Sequence, residues 1–164
     1  MNHGSIGALA LALCVAVSPL TAAAADATGG DVRVVKAYAK AMPPGATTAG
    51  AYMTIENRGG ADRLVGASSP RALAVEMHTM ENNRGVMRMQ SVSEIALPAG
   101  KPVDLKPNGY HVMLMQLTRP LNDGDPIPLV LTVQDASGAK TNLQVNALVR
   151  PLTAGAEPST KHSH

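Results

Sequence analysis

The chain of 164 residues has no Phe and no Trp, three Tyr (Tyr38, Tyr52 and Tyr110) and a single Cys, Cys14. Without large aromatic side chains a core must be closed by aliphatic ones, and the bases of a nucleic acid find no stacking platform. Fourteen Lys+Arg stand against twelve Asp+Glu, scattered from Asp26 onward with no basic patch, so a nucleic-acid partner is not expected. No stretch carries a sustained helical period, no heptad recurs and no segment repeats.

Only one apolar run is long, Ile6 to Val17, and it is too short to cross a bilayer as a stable helix. Ser18-Pro19 and the Ala-rich stretch Ala22 to Ala25 follow it, which is the layout of a secretory signal with A-x-A cleavage geometry, although Met1 to Ser5 contains no Lys or Arg. Residues 1–25 are therefore expected to be a signal peptide, and the exported chain, with no membrane span, begins at Asp26. Cys14 lies inside that signal, but Leu13 precedes it where a lipoprotein signal needs a small residue, so lipidation is not expected. The exported chain then has no Cys, which excludes both a disulfide framework and a thiolate metal site.

What is present reads as one all-β domain, a sandwich or barrel over residues 26–150. Short apolar segments alternate with turn chemistry, predicting strands near Val32–Lys40, Ala49–Asn57, Asp62–Ala67, Ala72–Met80, Val86–Ser91, Pro102–Leu105, His111–Leu117, Ile127–Gln134 and Thr141–Val149. Gly, Asn and Pro in the intervening segments supply the backbone angles that turns require. The stretch 151–164, rich in Ala, Ser, Thr, Gly and Pro, predicts a disordered tail that ends in Lys161-His162-Ser163-His164.

Methionine is the anomaly. Of nine Met, Met77, Met80, Met87, Met89, Met113 and Met115 fall in one region, together with His78 and His111. A four-residue loop at Asn82–Gly85 would set Met80 opposite Met87 and His78 opposite Met89. Side chains two apart share a face, so His78, Met80, Met87 and Met89 would form one cluster while Leu73, Val75 and Met77 turn to the core. In the later strand Val112 and Leu114 likewise alternate with His111, Met113 and Met115.

Thioether sulfur is a soft, neutral ligand suited to copper(I), and imidazole serves several metals. Without Cys or carboxylate partners, a His and Met set favours copper(I) over zinc, calcium or magnesium. Each such residue alone is more often core filler or surface, and it is the collective alternation that points to a metal.

The spacing His78, ten residues, Met89, twenty-one residues, His111, one residue, Met113 resembles the H-x10-M-x21-H-x-M pattern of the PCuAC family of periplasmic copper(I) chaperones. Gly109 to Met115, Ala51 to Asn57 and Asp62 to Ala67 are similar to that family as well, so the resemblance spans roughly Asp31 to Val149. It implies a cupredoxin-like Greek-key β-sandwich with one copper(I) on His78, Met89, His111 and Met113. It further implies a periplasmic location and delivery toward the cytochrome c oxidase copper centre, alongside Sco-type proteins. Met80, Met87 and Met115 would be packing or access groups, and His162 with His164 a weaker second copper site or an uncommitted tail. Copper sequestration is the competing role. A copper redox enzyme is disfavoured, since copper(II) prefers more nitrogen and oxygen ligands and a blue-copper site needs a Cys. A metal-free adhesion or assembly module is the remaining alternative.

Overall fold

The computed structural model describes residues 26–151, which form eleven strands and no helix. The expected signal, with Cys14, and the expected tail from residue 152, with His162 and His164, lie outside the described residues. Among the described residues no helix is long and apolar enough to cross a membrane.

The strands are β1 Ala27–Gly29, β2 Val32–Lys40, β3 Thr48–Asn57, β4 Asp62–Ser68, β5 Ala72–Asn83, β6 Val86–Ser91, β7 Ile95–Leu97, β8 Val103–Leu105, β9 His111–Leu117, β10 Pro126–Gln134 and β11 Lys140–Arg150. All nine expected strands are present within a residue or so, except that β5 runs three residues further. The two additional ones, β1 and β7, are three residues each, too short to show alternation.

Hydrogen bonding links them in the order β6-β5-β9-β3-β2-β11-β10-β4-β7, with β1 beside β2 and β8 beside β3. Among the described residues only β11 and β2 run parallel, which makes the sheet mixed. Inward residues from one end of this path (Leu64, Ile95, Leu97) and from the other (Met77, Val112, Leu114) join a single aliphatic core. They can share it only because the path folds over on itself, as a sheet with one apolar face must.

Two departures from strict alternation matter for the outer face. In β2, Lys36 takes a left-handed conformation (φ 55) where the pairing with β3 shifts register. The inward set changes from Val32 and Val34 to Ala37 and Ala39, and Tyr38 is turned outward. In β9, Gln116 is also left-handed (φ 53), and the ladder between β5 and β9 omits its pairing with Leu73. Leu73 is consequently 75% exposed rather than part of the core, which corrects its expected role, while Ala72 is buried.

The hairpin joining β5 to β6 also differs from expectation. Its turn is two residues, Arg84-Gly85, both left-handed (φ 52 and 86), with Asn82 Oδ1 accepting the Gly85 N–H at 2.8 Å. That is the tight turn whose twist suits a hairpin, and the extra pairs zip up Asn82 and Asn83, read beforehand as loop. Met80 therefore faces Met89 and His78 faces Ser91. The correction is a displacement of two residues, an even number, so the side chains stay on the expected face.

Buried Arg71 fixes where β5 starts. Its guanidinium donates to the carbonyls of Pro126 (3.1 Å) and Pro120 (3.2 Å) and lies 3.7 Å from Asp125, and its own carbonyl accepts the Thr118 N–H at 3.0 Å. This ties β5 and β9 together beyond their last pair. Arg71→Ala should cost about 3 kcal/mol, since it strands two carbonyls and a carboxylate, as denaturant unfolding will measure.

The Asn122 N–H, and after it Arg71 and Arg119, hold the Asp125 carboxyl below its ordinary range. A depressed folded-state pKa gives stability that is present above the unfolded value, about 3.9, and lost as pH falls through the folded one. The stability gap between wild type and Asp125→Asn should therefore narrow below about pH 4 in urea titrations.

Candidate metal centre

Strands β6, β5, β9 and β3 lie side by side, and their outward faces carry the expected ligands. His78 is directly opposite His111, Glu76 is opposite Met113, Met80 is opposite Met89, and Met113 in turn faces Gly50. Directly opposed residues point to the same side of a sheet, as do residues two apart. His78, Met89, His111 and Met113 thus share one face on three consecutive strands. The convergence of the two His/Met pairs, expected from resemblance only, is a consequence of β5 and β9 being neighbours.

Although both imidazoles face away from the aliphatic core, His78 is 7% and His111 4% exposed. Their own face covers them. The two rings meet edge to face at 5.8 Å, Tyr52 lies 6.3 Å from His111, and Tyr38 lies 5.2 Å from Tyr52 with the Arg150 guanidinium 4.7 Å above its ring. Burial, and then the neighbouring Tyr38, hold the Tyr52 hydroxyl above the ordinary tyrosine range, so it remains a neutral phenol.

The hydrogen bonds of His111 define its protonation pattern. Nδ1 is 3.0 Å from the Gly109 carbonyl, which can only accept, so in the neutral ring Nδ1 carries the proton and Nε2 carries the lone pair. The same carbonyl accepts the Met80 N–H at 3.3 Å, locking this loop to β5. Nε2 points at the Met89 sulfur, 3.4 Å away. His78 has Nε2 at 2.8 Å from Glu76 Oε2, and its Nδ1 is buried with no hydrogen-bond partner.

Met113 joins through register and is half-buried, whereas Met89 is 48% exposed on β6, none of whose residues is buried. Met87 lies on the same face as Met89 and opposite Asn82, nearer the hairpin tip, and Met115 lies opposite Thr48 and Ala74, two residues further along β9 than Met113. Among the described residues no three His, Cys, Asp or Glu side chains gather as a metal cluster.

Two contributors escaped the sequence reading. Glu76 was legible in principle, because Glu76-x-His78 puts both side chains on one strand face. Tyr52 stands in a stretch of family resemblance, but its position beside His111 depends on β3 pairing with β9. Gly50 makes room for it: a Cβ at position 50 would run into the Tyr52 ring and hydroxyl. Gly50→Ala should displace Tyr52 and cost about 1–3 kcal/mol, read by tyrosine near-UV circular dichroism and thermal unfolding.

The all-β domain that carries this His/Met face is similar to several known proteins. Residues 32–145 match the family model "Putative lipoprotein LpqE-like". Among curated proteins, "Putative lipoprotein Lxx21020" of Leifsonia xyli subsp. xyli is 33% identical over 148 residues, covering 82% of this chain and 88% of that protein. Among solved structures, the copper(I) form of DR1885 from Deinococcus radiodurans is 34% identical, with a TM-score of 0.54 over 70% of this chain and 74% of that one. The copper-bound PCuAC domain of PmoF2 shares the fold, at 22% identity and a TM-score of 0.63 over 77% of this chain and 98% of that domain. The chain belongs to the LpqE-like family, the PCuAC proteins that its His/Met spacing resembles.

Proposed function

We propose that this protein binds one copper(I) ion through His78, Met89, His111 and Met113 after export to the periplasm, and hands it to an acceptor. The observation that carries this reading is the approach of His111 Nε2 to the Met89 sulfur at 3.4 Å. With Nδ1 occupied by a carbonyl, a neutral His111 has no proton on Nε2, and the thioether has none to give. Two lone-pair donors face each other where a cation fits. Nitrogen and sulfur ligands at roughly 2.0 and 2.3 Å from one tetrahedral ion are themselves about 3.5 Å apart.

A thioether-containing set selects copper(I) over harder ions, and without thiolates it withstands an oxidising compartment, with methionine sulfoxide as its vulnerable product. The copper(I) form of DR1885, 34% identical to this chain, supports that choice of metal. We read the protein as a carrier and not an enzyme. Delivery is favoured over sequestration because Met89 stands on an exposed strand, where an incoming ligand can replace it. The acceptor we assign is the cytochrome c oxidase copper centre, directly or by way of a Sco-type protein. An exported family, as the lipoprotein descriptions of its members imply, supports the location.

Copper(I) titration under reducing conditions tests the site. Wild type should take one equivalent, and His78→Ala, Met89→Ala, His111→Ala and Met113→Ala should each weaken retention at least tenfold in a competition assay. Retention unchanged in His111→Ala would sink the proposal. A chain ending before His162 should keep its one copper, and loss of a second equivalent on that truncation would assign metal to the tail.

A further inference from the structure

His78 and His111 are not held alike. The Gly109 carbonyl holds His111 through Nδ1, whereas Glu76 holds His78 through the opposite nitrogen, Nε2, at 2.8 Å. An ionised carboxylate only accepts hydrogen bonds, so the proton of a neutral His78 ring resides on Nε2 and the lone pair on Nδ1. That Nδ1 is buried and has no hydrogen-bond partner, and the His78 side chain is only 9% exposed. A buried acceptor without a partner is costly, and native structures rarely keep one without a reason.

We infer that Glu76 is a positioning residue that fixes the Nε2–H tautomer of His78, so that copper(I) is bound through Nδ1 of His78 and Nε2 of His111. This rests on the copper site proposed above and adds to it a fifth residue and an atom-level assignment. Glu76 reaches His78 from two residues away on the same strand face, and in register it stands opposite Met113. Its carboxylate, with a side chain 48% exposed, flanks the metal position without being needed as a ligand. A negative charge there offsets the charge of copper(I), and a carboxylate on the far nitrogen makes the near one a stronger donor.

The inference makes a statement about the metal-free protein, where it can be read independently. Two-bond 1H–15N correlations of the apo chain at neutral pH should show His78 as the Nε2–H tautomer and His111 as the Nδ1–H tautomer. On adding copper(I), which is diamagnetic, the 15N resonances that move most should be Nδ1 of His78 and Nε2 of His111. Glu76→Ala should mix the His78 tautomers and lower copper(I) retention about 10–100-fold. Glu76→Gln, whose amide oxygen accepts the same N–H, should restore the tautomer and most of the affinity.

An Nδ1–H tautomer of His78 in the apo protein would overturn the inference. So would a Glu76→Ala chain that keeps wild-type copper affinity while His78→Ala loses it, and that result would leave the four-ligand site standing. Wild type that binds no copper(I) would instead remove the proposed function itself. Folding of Glu76→Ala is checked by the amide spectrum, and the His78 tautomer of the wild-type apo chain decides the inference if that variant is unfolded.

Discussion

A β-strand has two faces, and in this protein the inner one is fully committed. Val112 and Leu114 of β9, Ala49, Ala51, Met53 and Ile55 of β3 and Met77 of β5 all turn into the aliphatic core. With no Phe or Trp in the chain, that core has to be assembled from many modest contributions, and the polar exception on the inward row of β3, Asn57, sits at the strand's end where the Gly60 and Leu97 carbonyls accept its amide. Chemistry is therefore confined to the outer face of the same strands. The His/Met set lies there because the period of a strand leaves it nowhere else to go.

Being outside the core did not leave the imidazoles wet. A second, smaller layer covers them, built from Met89, Glu76 and Tyr52, with the tyrosine row extended to Tyr38 and Arg150. The row depends on two local features of opposite kind. The bulge at Lys36 turns Tyr38 outward, and Gly50 leaves the hollow over which Tyr52 lies. One inserts a residue and the other removes a side chain, yet both serve the same wall. The outcome is a pair of buried imidazoles beneath side chains that take no part in the aliphatic interior.

Much of this was legible because it follows from period two. The strands, the sharing of a face by His111 and Met113, and the membership of His78 and Met89 in one hairpin all come from counting residues. The hairpin register was misread because Asn82 and Asn83 are turn formers on composition. The structure places them in the ladder and assigns the turn to Arg84, a residue with no special liking for left-handed angles. Leu73 departs from the expected face because alternation does not reveal the left-handed Gln116 opposite it, where the ladder skips a pair. The adjacency of β5 and β9, which makes one site from two pairs, is a long-range matter that no local pattern encodes. Glu76 is a different case, since its spacing from His78 was visible, but its importance emerges only once a buried nitrogen is seen to lack a partner.

The bare strand β6 has a consequence for how metal load and folding relate. Among the described residues it pairs with β5 alone, contributes nothing to the core, and carries Met89 at its middle. Beyond that ladder it is tied by the contact of Met89 with His111, and it buries no side chain, which sets it at the low-stability end of the domain. In the proposed copper site a thioether anchored there would act as a latch beside the two imidazoles of β5 and β9. Loading and unloading would register in the amide exchange of a single hairpin, while the cooperative melting of the domain, set by aliphatic burial on the other side of the sheet, would report little about whether the cargo is aboard.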